Sequence, residues 1–273
     1  MRFDVSHPGV KRAVAAALEE DIGAGDLTTN ACVRPALSAR AEFVAREDLT
    51  LAGVELLTLL FEDVALRRNS GDRVAAGETV AEVRGTARDL LTRERVSLNF
   101  LQRLSGIATL AARFVAAVEG TGVRILDTRK TTPGLRALEK MSSAAGGAVN
   151  HRMGLFDAVL IKNNHIRLAG GVRAAMERAR VLNKPVEIEV RTHAEVEEAL
   201  EAAAARLLLD NMTPEQAAAE IEFIGRRVET EISGGVTLGN VRAYAEARPD
   251  FISSGAITHS ATAVDINCGI YAV

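Results

Sequence analysis

Tryptophan is missing from this chain of 273 residues, and cysteine occurs only twice. Cys32 and Cys268 lie far apart, in no C-x-x-C pair and at no metal-ligand spacing. Neither a disulfide framework nor a thiolate metal site is expected, and both read as small buried or partly exposed thiols. There is no signal peptide and no run of about 18 apolar residues, so a membrane span is set aside and a cytoplasmic protein is expected. A large excess of one charge is also lacking. The net charge of −3 gives no reason to expect nucleic acid or a bilayer as partner. What is present in quantity is alanine. With 48% hydrophobic and 25% charged residues, the composition is that of a helix-rich globular protein, one barrel-type domain or two smaller ones.

The first third of the chain alternates short helices and strands. Ser6 is placed to cap a helix carrying Val10, Val14, Ala17 and Leu18, which ends before Gly23-Ala24-Gly25. Asp21, Asp26, Thr28 and Thr29 follow as turn and capping residues. Ala39–Arg46 alternates like a half-buried strand, Gly53–Phe61 reads as a short helix, and two further strands lie around Arg73-Val74 and Thr79–Val83. These elements make a small α/β sandwich. A long helical pattern runs over Ala87–Leu104, with a break expected at Gly106 and a second helix to about Val118.

From Val123 the pattern changes to short apolar runs separated by amphipathic segments such as His193–Ala204 and Pro214–Arg226. Candidate strands are Val123–Asp127, Ala158–Lys162, Val186–Val190, Arg206–Asp210, Val228–Ile232 and Asp250–Ser253. Such alternation predicts parallel strands joined by crossover helices. Each strand ends in polar residues, as expected where the C-terminal strand ends of a β/α barrel build a site. Six strands are too few for a closed barrel of eight.

The stretch Leu126–Ile166 concentrates Arg129, Lys130, Arg136, Lys140, Arg152 and Lys162, with His151 and His165, against only Asp127, Glu139 and Asp157. Cations interleaved with apolar strands suggest a pocket for a strongly anionic ligand, the alternative being a basic helix surface beside ordinary strand ends. Glu189 and Asp210 close adjacent candidate strands. Two carboxylates so placed suit Mg²⁺, which prefers oxygen ligands, or else they cap the helices that follow. Ser233-Gly234-Gly235 and Ser254-Gly255 each follow a strand. Their bare backbone, together with a following helix, suits a phosphate.

The words DTRKTTPGLR, GGAVNHRMGL and LIKNNHI, in this order, resemble the quinolinate phosphoribosyltransferases. So do EEDIGAGDLTT, ERVSLNFLQRLSGIAT, EIEV, LLLDN, EISGGV and SGAITHS, which together cover nearly the whole chain. The resemblance implies an N-terminal α/β sandwich followed by an incomplete, open α/β barrel. The division expected is 1–106 for the sandwich, rejoined by 260–273, and 107–259 for the barrel. It also implies decarboxylating transfer of phosphoribose from phosphoribosyl pyrophosphate to quinolinate, with Mg²⁺, in a homodimer or higher homo-oligomer with shared sites.

Arg129, His151 and Arg152 are assigned to the two carboxylates of quinolinate, since a guanidinium fork binds both oxygens of a carboxylate. By resemblance Arg95 joins them, delivered from the neighbouring protomer; otherwise it is half of a helix-surface ion pair. Lys130 and Lys162 serve either the carboxylates or the diphosphate, with Lys130 counted among the catalytic groups beside Glu189 and Asp210. The ribose 5′-phosphate is assigned to the two glycine loops. Met141-Ser142-Ser143 and Asn163 depart from the family pattern, the latter where an aspartate is usual. Other readings are a phosphoribosyltransferase for another carboxylated heterocycle and a non-catalytic anion-binding homologue. The retained NHR run argues against the first, and the retained acid pair against the second.

Overall fold

A computed structural model describes residues 3–273 and contains twelve strands among them. In chain order these are β1 (Ser38–Ala45), β2 (Leu49–Thr50), β3 (Asp63–Leu66), β4 (Arg73–Val74), β5 (Thr79–Thr86), β6 (Arg124–Leu126), β7 (Val159–Ile161), β8 (Val186–Val190), β9 (Arg206–Asp210), β10 (Glu229–Ser233), β11 (Phe251–Ser253) and β12 (Ile266–Ala272). The chain forms two compact units. One contains the residues up to Ala112 with Thr131–Gly147 and Ile257–Val273; the other contains Arg113–Lys130 and Ala148–Ala256. The expected division thus differs at three points. The first boundary lies at Ala112 rather than 106, the last segment starts at Ile257 rather than 260, and Thr131–Gly147 belongs with the first unit.

In the first unit an antiparallel sheet has the order β12-β1-β5-β3, with a separate β2-β4 pair. Residues alternate across a strand, and on β1 this turns Ala39, Ala41, Phe43 and Ala45 into the core while the residues between them stay partly exposed. The first helix is Pro8–Ile22. Its cap is His7, whose Nδ1 accepts from the Gly9 N–H, and not Ser6. Proline at the first helical position needs no donor there, which moves the start one residue along. Asp26 caps the short helix Leu27–Cys32 by accepting from Thr29 N–H, in keeping with the capping role read for this loop.

Gly106 does not break the long helix, which runs unbroken over Ala87–Ala117. A Cβ at Gly106 would lie 2.0 Å from the carbonyl oxygen of Thr262. The glycine serves a close backbone approach, not a turn, and a helix interior tolerates it at about 1 kcal/mol relative to alanine. Met141, Ser142 and Ser143, which depart from the family pattern, are buried on the helix Arg136–Ala145 of this unit.

In the second unit six parallel strands take the order β6-β11-β10-β9-β8-β7. Each lies within two residues of its expected bounds, because buried parallel strands read as short apolar runs. β6 and β7, consecutive in sequence, form the two outer edges, so the barrel is open between them. A lone parallel bridge from Val149 to Leu126 covers part of the β6 edge. The crossover helices include Asn163–Ala169, Val172–Ala179, His193–Glu201 and Pro214–Ile224.

Candidate active site

The strand ends of the second unit gather most of the polar residues singled out above. Glu187 and Glu189 lie two apart on β8 and therefore share one face of the sheet. Both are buried. Asp210 ends β9, and neither it nor Glu189 caps a helix. Thr192 caps His193–Glu201, and Thr213 with Gln216 forms a capping box on Pro214–Ile224. The acid pair is thus left for other work.

Arg191 spans that pair. Its Nη2 lies 3.1 Å from Glu189 Oε1 and 2.7 Å from Asp210 Oδ2, and its Nε donates to Asp210 at 2.9 Å. The Asp210 hydrogen bond holds the guanidinium above its ordinary pKa. Lys162 Nζ reaches Glu189 Oε2 at 3.3 Å, and the Asn211 amide donates to Asp210 at 2.7 Å. Arg191 and Lys162 are each nearly half exposed, so these pairs contribute about 0.2–1 kcal/mol apiece. Both cations are therefore held weakly enough to turn toward an anionic substrate.

Arg129 and Arg152 form a second cluster. Burial lowers the Arg152 pKa, and repulsion from Arg129 lowers it further, with Glu187 and Asp157 opposing. Two guanidinium groups close enough to repel make a site for an anion. Between them the chain is pinned by buried Asp127, which accepts from the His151 N–H at 2.9 Å and from the Asn150 amide at 2.6 Å.

His151 is placed differently from its expected role. Its Nδ1 accepts from the Arg152 N–H at 2.7 Å. Its Nε2 points to Glu187 and Glu231, 3.5 Å from an oxygen of each. Both ring nitrogens are thus engaged within the protein, which leaves neither directed at a substrate carboxylate.

The glycine loops differ in part from expectation. Gly234 and Gly235 both have positive φ, 94° and 64°, a backbone that glycine adopts without strain, and their lack of side chains leaves the N–H groups open to an anion. A Cβ on Gly234 would lie 2.3 Å from Asn211 Oδ1. No helix follows directly, however. The next is Val241–Glu246, and the one after Gly255 is only Ala256–His259, so little helix dipole is available. Ser233 and Ser253 hydroxyls pair at 2.9 Å, and Ser254 Oγ donates to the Val236 carbonyl at 2.7 Å, fixing the two loops.

Lys130 is exposed and its N–H is held by Thr128 Oγ1 at 3.0 Å. Asn163 opens a helix, with His165 Nδ1 accepting from the Lys162 N–H at 2.9 Å. Arg95 belongs to the other unit. It is exposed on Ala87–Ala117, where the ion pair formed is Arg93 with Asp89, not Arg95 with a neighbour.

Sequence reasoning missed Glu187, Glu231, Arg191 and Asn211. Attention to strand termini alone hides a residue two positions earlier on the same face. The alternation in EIEV and ETEIS carried the signal for both glutamates.

Comparison with known proteins bears on all of this. Residues 26–105 match the family model described as quinolinate phosphoribosyl transferase, N-terminal domain, and residues 107–268 match its C-terminal domain. The chain is 41% identical to quinolinate phosphoribosyltransferase [decarboxylating] 1b of Nicotiana tabacum, over 97% of this chain and 84% of that one. It is 38% identical to a probable nicotinate-nucleotide pyrophosphorylase [carboxylating] of Bacillus subtilis, over 97% and 95%. Among solved structures, the nicotinate-nucleotide pyrophosphorylase of Ehrlichia chaffeensis superposes with a TM-score of 0.93 at 36% identity, covering 99% of this chain and 100% of that one.

Proposed function

The chain belongs to the quinolinate phosphoribosyltransferase family, and from that premise we propose how its own residues carry the decarboxylating transfer of phosphoribose from phosphoribosyl pyrophosphate to quinolinate, a step of NAD biosynthesis. Arg129 and Arg152 bind the two carboxylates, each through a planar fork. Glu189 and Asp210 face the ribose and stabilise the positive charge that grows as the C1′–O bond to diphosphate breaks. Arg191, Lys162 and Lys130 turn to the diphosphate or to the carboxylates. The backbone of Ser233-Gly234-Gly235 and Ser254-Gly255 holds the 5′-phosphate.

The pyridine nitrogen bonds to C1′ and diphosphate leaves. The ring is now cationic, so the electron pair of the C2–carboxylate bond stays on C2 as CO₂ departs, and a proton then takes its place. No protein nucleophile is needed. Positioning, charge neutralisation and water exclusion carry the rate.

The donor set at the strand ends fits Mg²⁺. Glu189 and Asp210 supply hard oxygens on adjacent strands, and Mg²⁺ takes one or two carboxylates and leaves its other positions to phosphate and water. When bound, the ion would neutralise the departing diphosphate.

One observation carries this reading: Glu189 and Asp210 close adjacent strands of one parallel sheet, and the half-exposed cations Arg191 and Lys162 reach that pair. Incubation with quinolinate, phosphoribosyl pyrophosphate and Mg²⁺ should release CO₂ and mononucleotide. Failure to form either from folded protein would overturn it.

The active form is a homodimer in which Arg95 completes the neighbour's site, which accounts for an exposed arginine outside the barrel with no ion pair among the described residues. If Arg95→Ala and Lys130→Ala are each nearly inactive, random subunit exchange should give about half mixed dimers, each with one intact site, and roughly a quarter of wild-type activity. Parental activity in confirmed mixed dimers would place Arg95 in its own chain's site or outside catalysis. No helix of the described residues is long and apolar enough to cross a membrane.

A further inference from the structure

His151, Glu187 and Glu231 form a buried cluster that the transfer steps above leave without a role. Each offers an atom within 4.8 Å of the others. Glu231 has no exposed surface, and neither of its carboxyl oxygens has a hydrogen-bond partner of ordinary geometry among the described residues. The nearest cation is Arg206 on β9, whose Nη1 is 3.8 Å from Glu231 Oε2. The Ser253 hydroxyl of β11 also faces Glu231, and Arg152 faces Glu187.

A metal ion does not suit the cluster. Nδ1 of His151 accepts the Arg152 N–H and so carries no proton, which means that a ring bound to metal through Nε2 would have to be an imidazolate. The same hydrogen bond excludes the imidazolium, in which both nitrogens are donors. The ring is therefore neutral, with its proton on Nε2, directed at the two carboxyls. Two adjacent buried carboxylates do not both ionise.

We infer that Glu187 and Glu231 are positioning residues of the quinolinate site, holding one proton between them and locking His151 as the neutral Nε2–H tautomer, whose Nδ1 fixes the Arg152 backbone. This rests on the assignment of Arg152 to quinolinate. The electrostatics agree. Burial, then the neighbouring Glu187, pushes Glu231 up to about 8. Glu231, with no exposed surface and no hydrogen-bond partner of ordinary geometry among the described residues, is the protonated member, and Glu187, which faces Arg152, is the anion.

The two acids therefore respond differently to the same substitution. Glutamine mimics a protonated carboxyl, so Glu231→Gln should leave quinolinate affinity within about threefold of wild type. Glu187→Gln removes the anion that holds Nε2–H and should weaken quinolinate binding about tenfold or more, in KM and not in kcat, with phosphoribosyl pyrophosphate KM unchanged. ¹⁵N NMR of histidine-labelled wild-type protein near neutral pH, assigned with His151→Asn, should show the neutral Nε2–H tautomer for His151. An imidazolium or Nδ1–H signature overturns the inference whatever the variants do. So does equal damage from both glutamine variants, or unchanged affinity in Glu187→Gln. Arg152→Ala tests the underlying assignment separately: unchanged quinolinate affinity there would sink the site assignment while the tautomer result still stood.

Discussion

Two acid pairs stand one above the other in the same sheet, and they are neutralised by different means. The upper pair, Glu189 and Asp210, lies at the strand ends, where Arg191 and Lys162 reach it. The lower pair, Glu187 and Glu231, is met by an imidazole, with a proton in place of a close cation. Glu187 and Glu189 differ by two positions on one strand, so backbone and side-chain type are the same. Both are buried, and what separates them is the partners they meet: Lys162 and Arg191 for Glu189, His151 for Glu187. At the strand ends the carboxylates pair with half-exposed cations. At Glu231, which has no exposed surface, the desolvation cost makes sharing a proton the cheaper solution. Reactive charge thus sits where partners can exchange, and fixed charge where they cannot.

The comparison breaks most visibly if the upper pair is not the reactive one. Glu189→Ala and Asp210→Ala should each lower turnover by ~10²-fold or more, the loss expected for a transition-state electrostatic contact. Turnover within threefold of wild type for both would remove them from the chemistry.

A smaller effect concerns the cations that face the ligand. Quinolinate carries one more carboxylate than nicotinate, and losing one charge-assisted pair costs ~2–3 kcal/mol, roughly 30- to 150-fold in affinity. Calorimetry should show nicotinate binding weaker by that ratio. Equal affinities would detach Arg129 and Arg152 from the two carboxylates.

The lower pair is sharpened by pH. The unfolded chain releases the Glu231 proton near the ordinary 4.5 and the folded protein near about 8. Between these values the unfolded state binds fewer protons, so this residue's contribution to stability falls as pH rises. Glu231→Gln abolishes that slope. Its Tm relative to wild type should therefore climb by a few degrees between about pH 5 and 8. A constant difference across that window would show that Glu231 titrates normally.

The smallest effect is expected at Arg191. Its pairs are half exposed, so Arg191→Gln should lower Tm by about 2–4 °C at most, while KM for phosphoribosyl pyrophosphate rises. A larger Tm loss with unchanged KM would make Arg191 structural instead of a cation that moves to substrate.

Much of this layering was legible in the chain. The six parallel strands announce themselves as apolar runs closed by polar residues, and Lys162, Glu189, Asp210 and Ser233 all lie where those runs end. What was hidden depended on a third dimension. Nothing in NHR says that the His151 ring turns inward, since that follows from Asp127 pinning its N–H and from two glutamates on other strands. Gly106 read as a break because glycine has two uses, and only the nearby Thr262 carbonyl decides between them. The helix expected after Ser233-Gly234-Gly235 failed because turn residues persist to Asn240, which the pattern of apolar positions does not reveal.

The strand orders bear on how the chain is made. In the first unit β1 lies between β5 and β12, so one flank of an early strand is filled by residues near the far end of the sequence. In the second, β6 hydrogen-bonds to β11, with Arg124 opposite Phe251, and its sequence neighbour β7 sits on the opposite edge. While the chain is still on the ribosome, β1 and β6 therefore wait with unpaired edges until the last quarter of the sequence emerges. Neither unit can be finished first and set aside. Completion of both waits for β11 and β12, and the exposed edges before that moment are where aggregation during synthesis would begin.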